Sequence, residues 1–384
     1  MIAAAGKLLS SARRSRRARV ALQALVSLAL IVVLALPFFS MRLGLNDAGN
    51  DPASSTTRQA YDLLAKGFGA GFNGPLQIVA EISSPEDSAR FASFVNSLDG
   101  LPGVAAVVPP RASPNGKAEV AIVFPQAAPQ DRQTSTLLHR LRHEAAQATA
   151  GTPLAVHVGG VTAIGEDFSH VLAGKIPQFV GVVVILAFLL LMVVFRSLLV
   201  PLVASVMNLL SIGAALGIMT AAFQFGWGKS ILGLTKAGPI EVFVPVLMFA
   251  VLFGLSMDYE VFLVSRMHEE WVRTGDNEQA VTRGQAETGR VITAAALIMI
   301  LVFVSFIFGG EIVIKEAGLG FAAAIFIDAF VIRTVLVPAV MHVLGPANWW
   351  LPRWLDRILP RVHVEPDDIT GAGPPPQPVG AGHR

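Results

Sequence analysis

GLSMDYEVFLVSRMHEEW, residues 254–271, closes the apolar run that begins at residue 242, and its reading decides the fold. The run reads as a membrane helix that carries an acid, a phenol and a second acid in succession, Asp258, Tyr259 and Glu260. Ionisable side chains inside a bilayer are expensive and persist where they face a protein interior or a water path. Gly254 lies four residues before Asp258, on the same helix face, where a missing side chain lets another helix approach the acid. A carboxyl held away from water is poised to bind and release a proton, and Tyr259 can donate a hydrogen bond to a partner acid. Two readings of Asp258 stand side by side here: a proton carrier, or an acid that pins helices together.

The rest of the chain agrees with a membrane setting. Of its 384 residues, 53% are hydrophobic and only 15% charged, too apolar for an ordinary soluble protein. Apolar runs over 20–39, 176–195, 198–223, 242–264, 291–308 and 319–344 give six expected spans: one helix, a long loop, then five helices. The first follows a basic segment, 1–19, and reads as a retained anchor, because no small-residue cleavage site follows Pro37, Phe38 and Phe39. Lys and Arg concentrate in 1–19, 265–290 and 345–384, whereas the loops 224–241 and 309–318 carry only Lys229, Lys236 and Lys315. The positive-inside bias predicts both termini in the cytoplasm and residues 40–175 outside.

That outer segment is long enough for its own domain. Strand-like PLQIVAEI (75–82) precedes a helical pattern over 85–98, opened by Ser84 as a cap with Glu86 and Asp87 in the first turn. Strand-like pieces at 103–109 and 117–124, a helical pattern over 130–149 and a last strand-like piece at 153–160 follow. The order β-α-β-β-α-β is the split pattern of a ferredoxin-like α+β module. On the inner side, Asp276 and Gln279 predict a helix start and a short surface helix over 277–289 between spans four and five. Trp349, Trp350 and Trp354, beside Arg353 and Arg357, suit a helix at the membrane interface or ordinary packing. The tail 345–384 is expected to be disordered after about residue 361, where Pro and Gly accumulate.

Asp328, near the middle of the sixth span, is a second intramembrane acid. Arg333, five residues on, points away from it on a regular helix; it either snorkels to the inner surface, the favoured reading, or meets Glu260 or Asp258 on another helix. Asn208 and Thr293 could extend a proton path or simply hydrogen-bond between helices. Other chemistry finds little footing. GWGKS (226–230) lacks the leading glycine of a phosphate-binding loop, Phe223 standing in its place. His139 and His143, with Glu144 beside them, read as a solvated helix face rather than a metal site. No cofactor is expected, no nucleophile, base and oxyanion arrangement suggests an enzyme, and a net charge of +2 gives no argument for nucleic acid. The absence of cysteine excludes disulfides and thiolate sites.

The motif run, together with GPIEVFVPVLMFAVLF, RSLLVPLVASVMNLLSIGAALGI and GLGFAAAIFIDAFVIRTVLVPAVM, resembles the MMPL branch of the resistance-nodulation-division (RND) permeases from about Arg16 to about Pro360. The resemblance implies proton-driven export of lipids or other hydrophobic molecules, a porter domain of the ferredoxin-like type, and Asp258 and Tyr259 as the proton relay. It carries over to Asp328 and Thr293 as further relay or helix-contact positions, alongside Glu260, Arg333 and Gly254. Members of that family usually contain two six-helix halves whose motif helices face each other. This sequence holds one such pattern, and its GLSMDYE wording resembles the second half. Membrane lipids, a hydrophobic cargo, and either a second copy or a separate first-half chain are therefore the expected partners. The competing expectation is a scaffold or lipid-sensing subunit, or an inactive remnant, that moves nothing itself.

Overall fold

A computed structural model describes residues 21–360. The basic segment 1–19 and the Pro- and Gly-rich tail after residue 360 lie outside the described residues. Helix α1 (Ala21–Ser40) ends in a 3-10 turn over Leu36–Ser40, where Pro37 sets the first-turn backbone. A two-residue strand, β1 (Leu43–Gly44), leads into α2 (Thr56–Phe68), which Ser55 caps by accepting the Arg58 amide at 3.2 Å.

An α+β module follows. Its elements are β2 (Leu76–Glu81), α3 (Pro85–Ser97), β3 (Val104–Ala112), β4 (Ala118–Pro125), α4 (Arg132–Ala148) and β5 (Val156–Gly159). The strands form one antiparallel sheet in the order β3-β4-β2-β5, with Ile78 opposite both Ala121 and Val158. Strand β2 alternates strictly, placing Leu76, Ile78 and Ala80 in the core and Gln77, Val79 and Glu81 outward. The buried face meets Phe91 and Val95 of α3 and Leu138 and Leu141 of α4. Each such buried side chain contributes about 1.5–3 kcal/mol. Ser84 caps α3 as the sequence predicts, accepting the Asp87 amide at 3.2 Å.

Helix α5 (Val161–Phe195), with Pro177 in its interior, starts beside β5 and continues as the second apolar span, about 52 Å long in all. Then come α6 (Leu199–Met219), prolonged by a π turn over Thr220–Gln224, the short α7 (Lys229–Leu232), and β6 (Ile240–Glu241). Strand β6 pairs in parallel with β1, Leu43 opposite Ile240 and Gly44 opposite Glu241, and so ties the entrance of the module to the helices. Helix α8 (Val244–Thr274) carries the motif and is followed by α9 (Asn277–Ile307) and α10 (Ile312–Phe326). The last span continues through ten residues of π-helix, Ile327–Leu336, into α11 (Val337–Leu344); α12 (Arg353–Ile358) ends the described chain.

Among the described residues, six helices are long and apolar enough to cross a membrane. Several boundaries differ from the sequence reading: α5 begins at Val161 rather than 176, and α8 runs on to Thr274 rather than 264. The surface helix expected over 277–289 is the first part of α9, continuous with the fifth span, because Asp276 caps it (Glu278 amide, 2.9 Å) and nothing afterwards breaks it. The sixth span begins at Ile312 rather than 319, so that Glu316 belongs to the bundle and not to a loop.

Helices α6 and α10 are the most buried and α1 the most peripheral, held to α6 by a close approach at Gly217. A Cβ on Gly217 would lie 2.0 Å from the Leu34 carbonyl oxygen. Gly217→Ala therefore has to push α1 outward and is expected to destabilise the purified protein by about 1–3 kcal/mol. Gly213→Ala is the control, since a Cβ there meets nothing within 4 Å. A thermal melt in detergent showing equal midpoints for the two variants would refute this account of α1 docking.

Candidate functional site

Helix α8 and the π segment of the last span meet around one guanidinium. Arg333 is 3% exposed; its Nε donates to Asp328 Oδ2 at 2.9 Å, and its Nη2 donates to Ser256 Oγ at 2.9 Å and also to the Ser256 carbonyl. Nη1 lies 3.5 Å from Glu260 Oε2. Ser256 Oγ in turn donates to Asp328 Oδ2 at 3.1 Å. The guanidinium also sits over the Tyr259 ring, 5.5 Å from its centroid, a cation-π arrangement. Arg333 thus does not snorkel to the surface.

The physical reason is the π-helix. Residues five apart on an α-helix differ by about 140° around the axis, which is why the sequence pattern points Arg333 away from Asp328. Between Ile327 and Leu336 the backbone instead bonds i to i+5, which winds the chain wider and stacks residues five apart on one face. One local irregularity converts two separated side chains into an ion pair. Such wide turns concentrate at functional positions in helices.

The cluster holds one cation and two carboxyls, Asp328 and Glu260, in a largely buried setting. Asn208, 3% exposed, lines a cavity of about 20 Å³ beside it together with Ser211, Ser256, Tyr259 and Asp328. That is room for about one water molecule, with apolar side chains such as Leu252, Leu255 and Ile325 forming the rest of its wall. Thr293 is apart from this network: its hydroxyl donates to Gly289 O of its own helix at 2.7 Å. Tyr259 Oη lies 3.6 Å from Met299 Sδ rather than on an acid.

Asp258 is placed differently from Glu260, as a two-residue step on a helix requires. It is exposed, and among the described residues it has no hydrogen-bond or ion-pair partner. Gly254 is exposed on the same face, and a Cβ there would meet nothing within 4 Å, so among the described residues no helix uses the gap it leaves. Phe243, Leu247 and Phe262, 45%, 45% and 41% exposed, continue that face along α8. Asp258 thus stands near the middle of α8 on a face that is otherwise apolar.

A second acid pair escapes sequence reasoning. Glu241 and Glu316 are 3% and 0% exposed. Glu316 Oε2 accepts the Glu241 amide at 3.0 Å, and Glu241 Oε2 accepts the Asn46 amide at 2.8 Å. These bonds join α10, β6 and the chain entering the module. Glu316 sits only four residues into its helix, and the available signal was the apolar run beginning at Ile312.

Residues 74–367 match the model of the MMPL family. The chain is 42% identical over 346 residues to "Membrane protein YdfJ" of Bacillus subtilis, covering 90% of this chain and 47% of that protein. It is 36% identical over 372 residues to "Heme uptake protein MmpL11" of Mycobacterium tuberculosis, covering 92% of this chain and 38% of that protein. With "Mycolic acid-containing lipids exporter MmpL11" of Mycolicibacterium smegmatis it shares 33% identity over 371 residues, 91% of this chain and 39% of that protein. The chain therefore spans about half the length of these relatives, or less. The family match, the six long apolar helices and identities above 30% over most of the sequence place it: this multi-pass membrane protein belongs to the MMPL family.

Proposed function

We propose that the chain supplies one six-helix unit of a transporter that uses the proton gradient to export lipids or other hydrophobic molecules across the cytoplasmic membrane. The observation that carries this reading is the buried Arg333 shared by Asp328 and Glu260. With both acids ionised the cluster bears one excess negative charge in a low-dielectric setting, and one proton neutralises it. Proton uptake and release there would bias the packing of α8 against the last span, the kind of small two-state shift that drives alternating access. Asp258 and Tyr259 remain the relay positions that the family resemblance implies. The exporter named among the relatives supports a lipid cargo; the heme protein named beside it keeps the cargo at the level of a hydrophobic molecule.

In this reading both termini are cytoplasmic and residues 40–175 form an extracytoplasmic porter domain. The sheet order β3-β4-β2-β5 with two helices on one side supports its ferredoxin-like type. The exposed Gly254 and Asp258 face supports pairing with a second six-helix unit, either another copy or a first-half unit. A Gly254→Cys substitution in this cysteine-free sequence is expected to give an oxidant-induced cross-linked dimer in native membranes if copies pair through α8. Absence of a cross-link there and at Phe262→Cys, at normal abundance, would count against the second copy and favour the first-half unit.

The central test is export by Asp258→Asn and Asp328→Asn variants at matched membrane abundance. Export is expected to fall at least about tenfold in each, because a neutral amide can neither carry the proton nor balance Arg333. Unchanged export in both would sink the relay. A scaffold or lipid-sensing role predicts that outcome, with partner binding lost instead when residues 40–175 are altered.

A further inference from the structure

Between the module and the helices lies a second cavity, of about 930 Å³, that the acid cluster does not use. Its apolar wall comes from Phe38, Ile176, Pro177, Val180, Ile212 and Phe249, on α1, α5, α6 and α8. At its other end stand Arg42, just after α1, and Arg132, the first residue of α4. The volume is that of sites that enclose a small organic ligand.

The two arginines are the informative pair. Arg42 is half-buried and anchored: its amide donates to Gln224 Oε1 at 2.7 Å and its Nη2 to the Gln130 carbonyl at 3.2 Å. Its guanidinium is pushed below the ordinary arginine value by burial first and by the charge of Arg132 second. Neither arginine forms an ion pair among the described residues. Glu166, which also lines the cavity, accepts from Ser135 Oγ at 2.8 Å and lies 3.6 Å from His139 Nε2; its charge and that of Asp131 offset part of the effect of Arg132 on Arg42. His170 stands on the same rim. Two like charges held beside each other over an apolar wall are unfavourable by themselves, and an anion placed between them relieves that repulsion through charge-assisted hydrogen bonds.

We propose that this cavity binds an amphiphile with a single anionic headgroup, carboxylate or phosphate, its head between Arg42 and Arg132 and its tail against α5 and α6. Treating that amphiphile as cargo rests on the export reading; the binding site itself does not. A neutral or cationic head gains no charge-assisted hydrogen bond from the two arginines, so the site selects by charge as well as by apolar area.

The test uses the full chain, purified in a neutral detergent and titrated without any gradient. The probe is a dansyl-labelled long-chain fatty acid, compared with its methyl ester. The acid is expected to bind about tenfold more tightly than the ester. Arg42→Gln and Arg132→Gln should each weaken the acid about tenfold and leave the ester unchanged. Gly213→Leu projects a side chain into the cavity from a position where a Cβ meets nothing within 4 Å, and should weaken both ligands. Unlabelled fatty acid and lysophosphatidic acid serve as competitors, and the stronger of the two assigns the head as carboxylate or phosphate.

Equal affinity for acid and ester, indifference to both arginine substitutions, tight acid binding in a folded Gly213→Leu chain, or displacement by neither competitor would each overturn the site. Tight, arginine-dependent binding in a chain that exports nothing would overturn the export reading and leave the site standing. Export without any charge preference in binding would do the reverse.

Discussion

An Arg333→Met chain is expected to reach the membrane at a small fraction of the normal level and to melt well below the parent protein. Removing the guanidinium leaves Asp328 and Glu260 facing each other's field with no cation between them, and leaves the Ser256 carbonyl without its donor. Breaking a buried pair from one side costs about 3–5 kcal/mol. Set against a total stability of about 5–15 kcal/mol, that is enough to dominate the outcome. Arg333→Lys should fall between, because an ammonium on a flexible stem cannot reach Ser256 and both carboxyls together as a planar fork does.

The control removes all three charges. A chain carrying Arg333→Met, Asp328→Leu and Glu260→Met no longer buries any ion there and should regain most of its abundance and melting temperature, since apolar replacements of a whole buried ion cluster are often neutral or stabilising. On the proton-coupling reading it should still export nothing. Membrane abundance and detergent melting curves decide the first point: an Arg333→Met chain as stable as the parent would show that the guanidinium does not hold these carboxyls. Export by the rescued triple variant would show that the cluster serves packing alone.

Much of the architecture is legible in the sequence because it depends on periodicity. The apolar runs, the strict alternation of Leu76 to Glu81, and the caps at Ser84 and Asp276 each express a local rule, and the structure follows each of them. The site is legible as a set of residues and not as a constellation. Asp258 and Glu260 look equivalent in the sequence, yet the two-residue step sends one to the exposed face and the other into the core. The pairing of Arg333 with Asp328 depends on a π-helix, whose signal is absent from residue types: IDAFVIRTVL would continue an ordinary helix as readily. Ser256 gives no signal either, because a serine in a membrane helix bonds back to its own turn as often as across to a neighbour.

Glu316→Ala is expected to loosen the joint between the module and the helices, at a cost of about 2–4 kcal/mol from a lost acceptor and the hollow left behind. The joint runs through three short links: Glu316 Oε2 holds the Glu241 amide, Glu241 Oε2 holds the Asn46 amide, and Gly44 pairs with Glu241 across the parallel β1–β6 ladder. Losing the first link frees β6, and with it the short segment through which any movement of α8 or α10 reaches the module. Glu316→Gln is the discriminating partner, because it keeps an oxygen for the Glu241 amide while removing the ionisable carboxyl and should melt close to the parent. Hydrogen exchange at Glu241 and Asn46 reads the joint directly: faster exchange is expected for the alanine variant and near-parental protection for the glutamine variant. Equal protection in all three chains would mean that the ladder holds without Glu316. Loss of protection in the glutamine variant as well would mean that the carboxyl group itself, and not merely an oxygen at that place, keeps the joint closed. The geometry favours the oxygen, since among the described residues neither Glu241 nor Glu316 has a cationic partner that a charge would need.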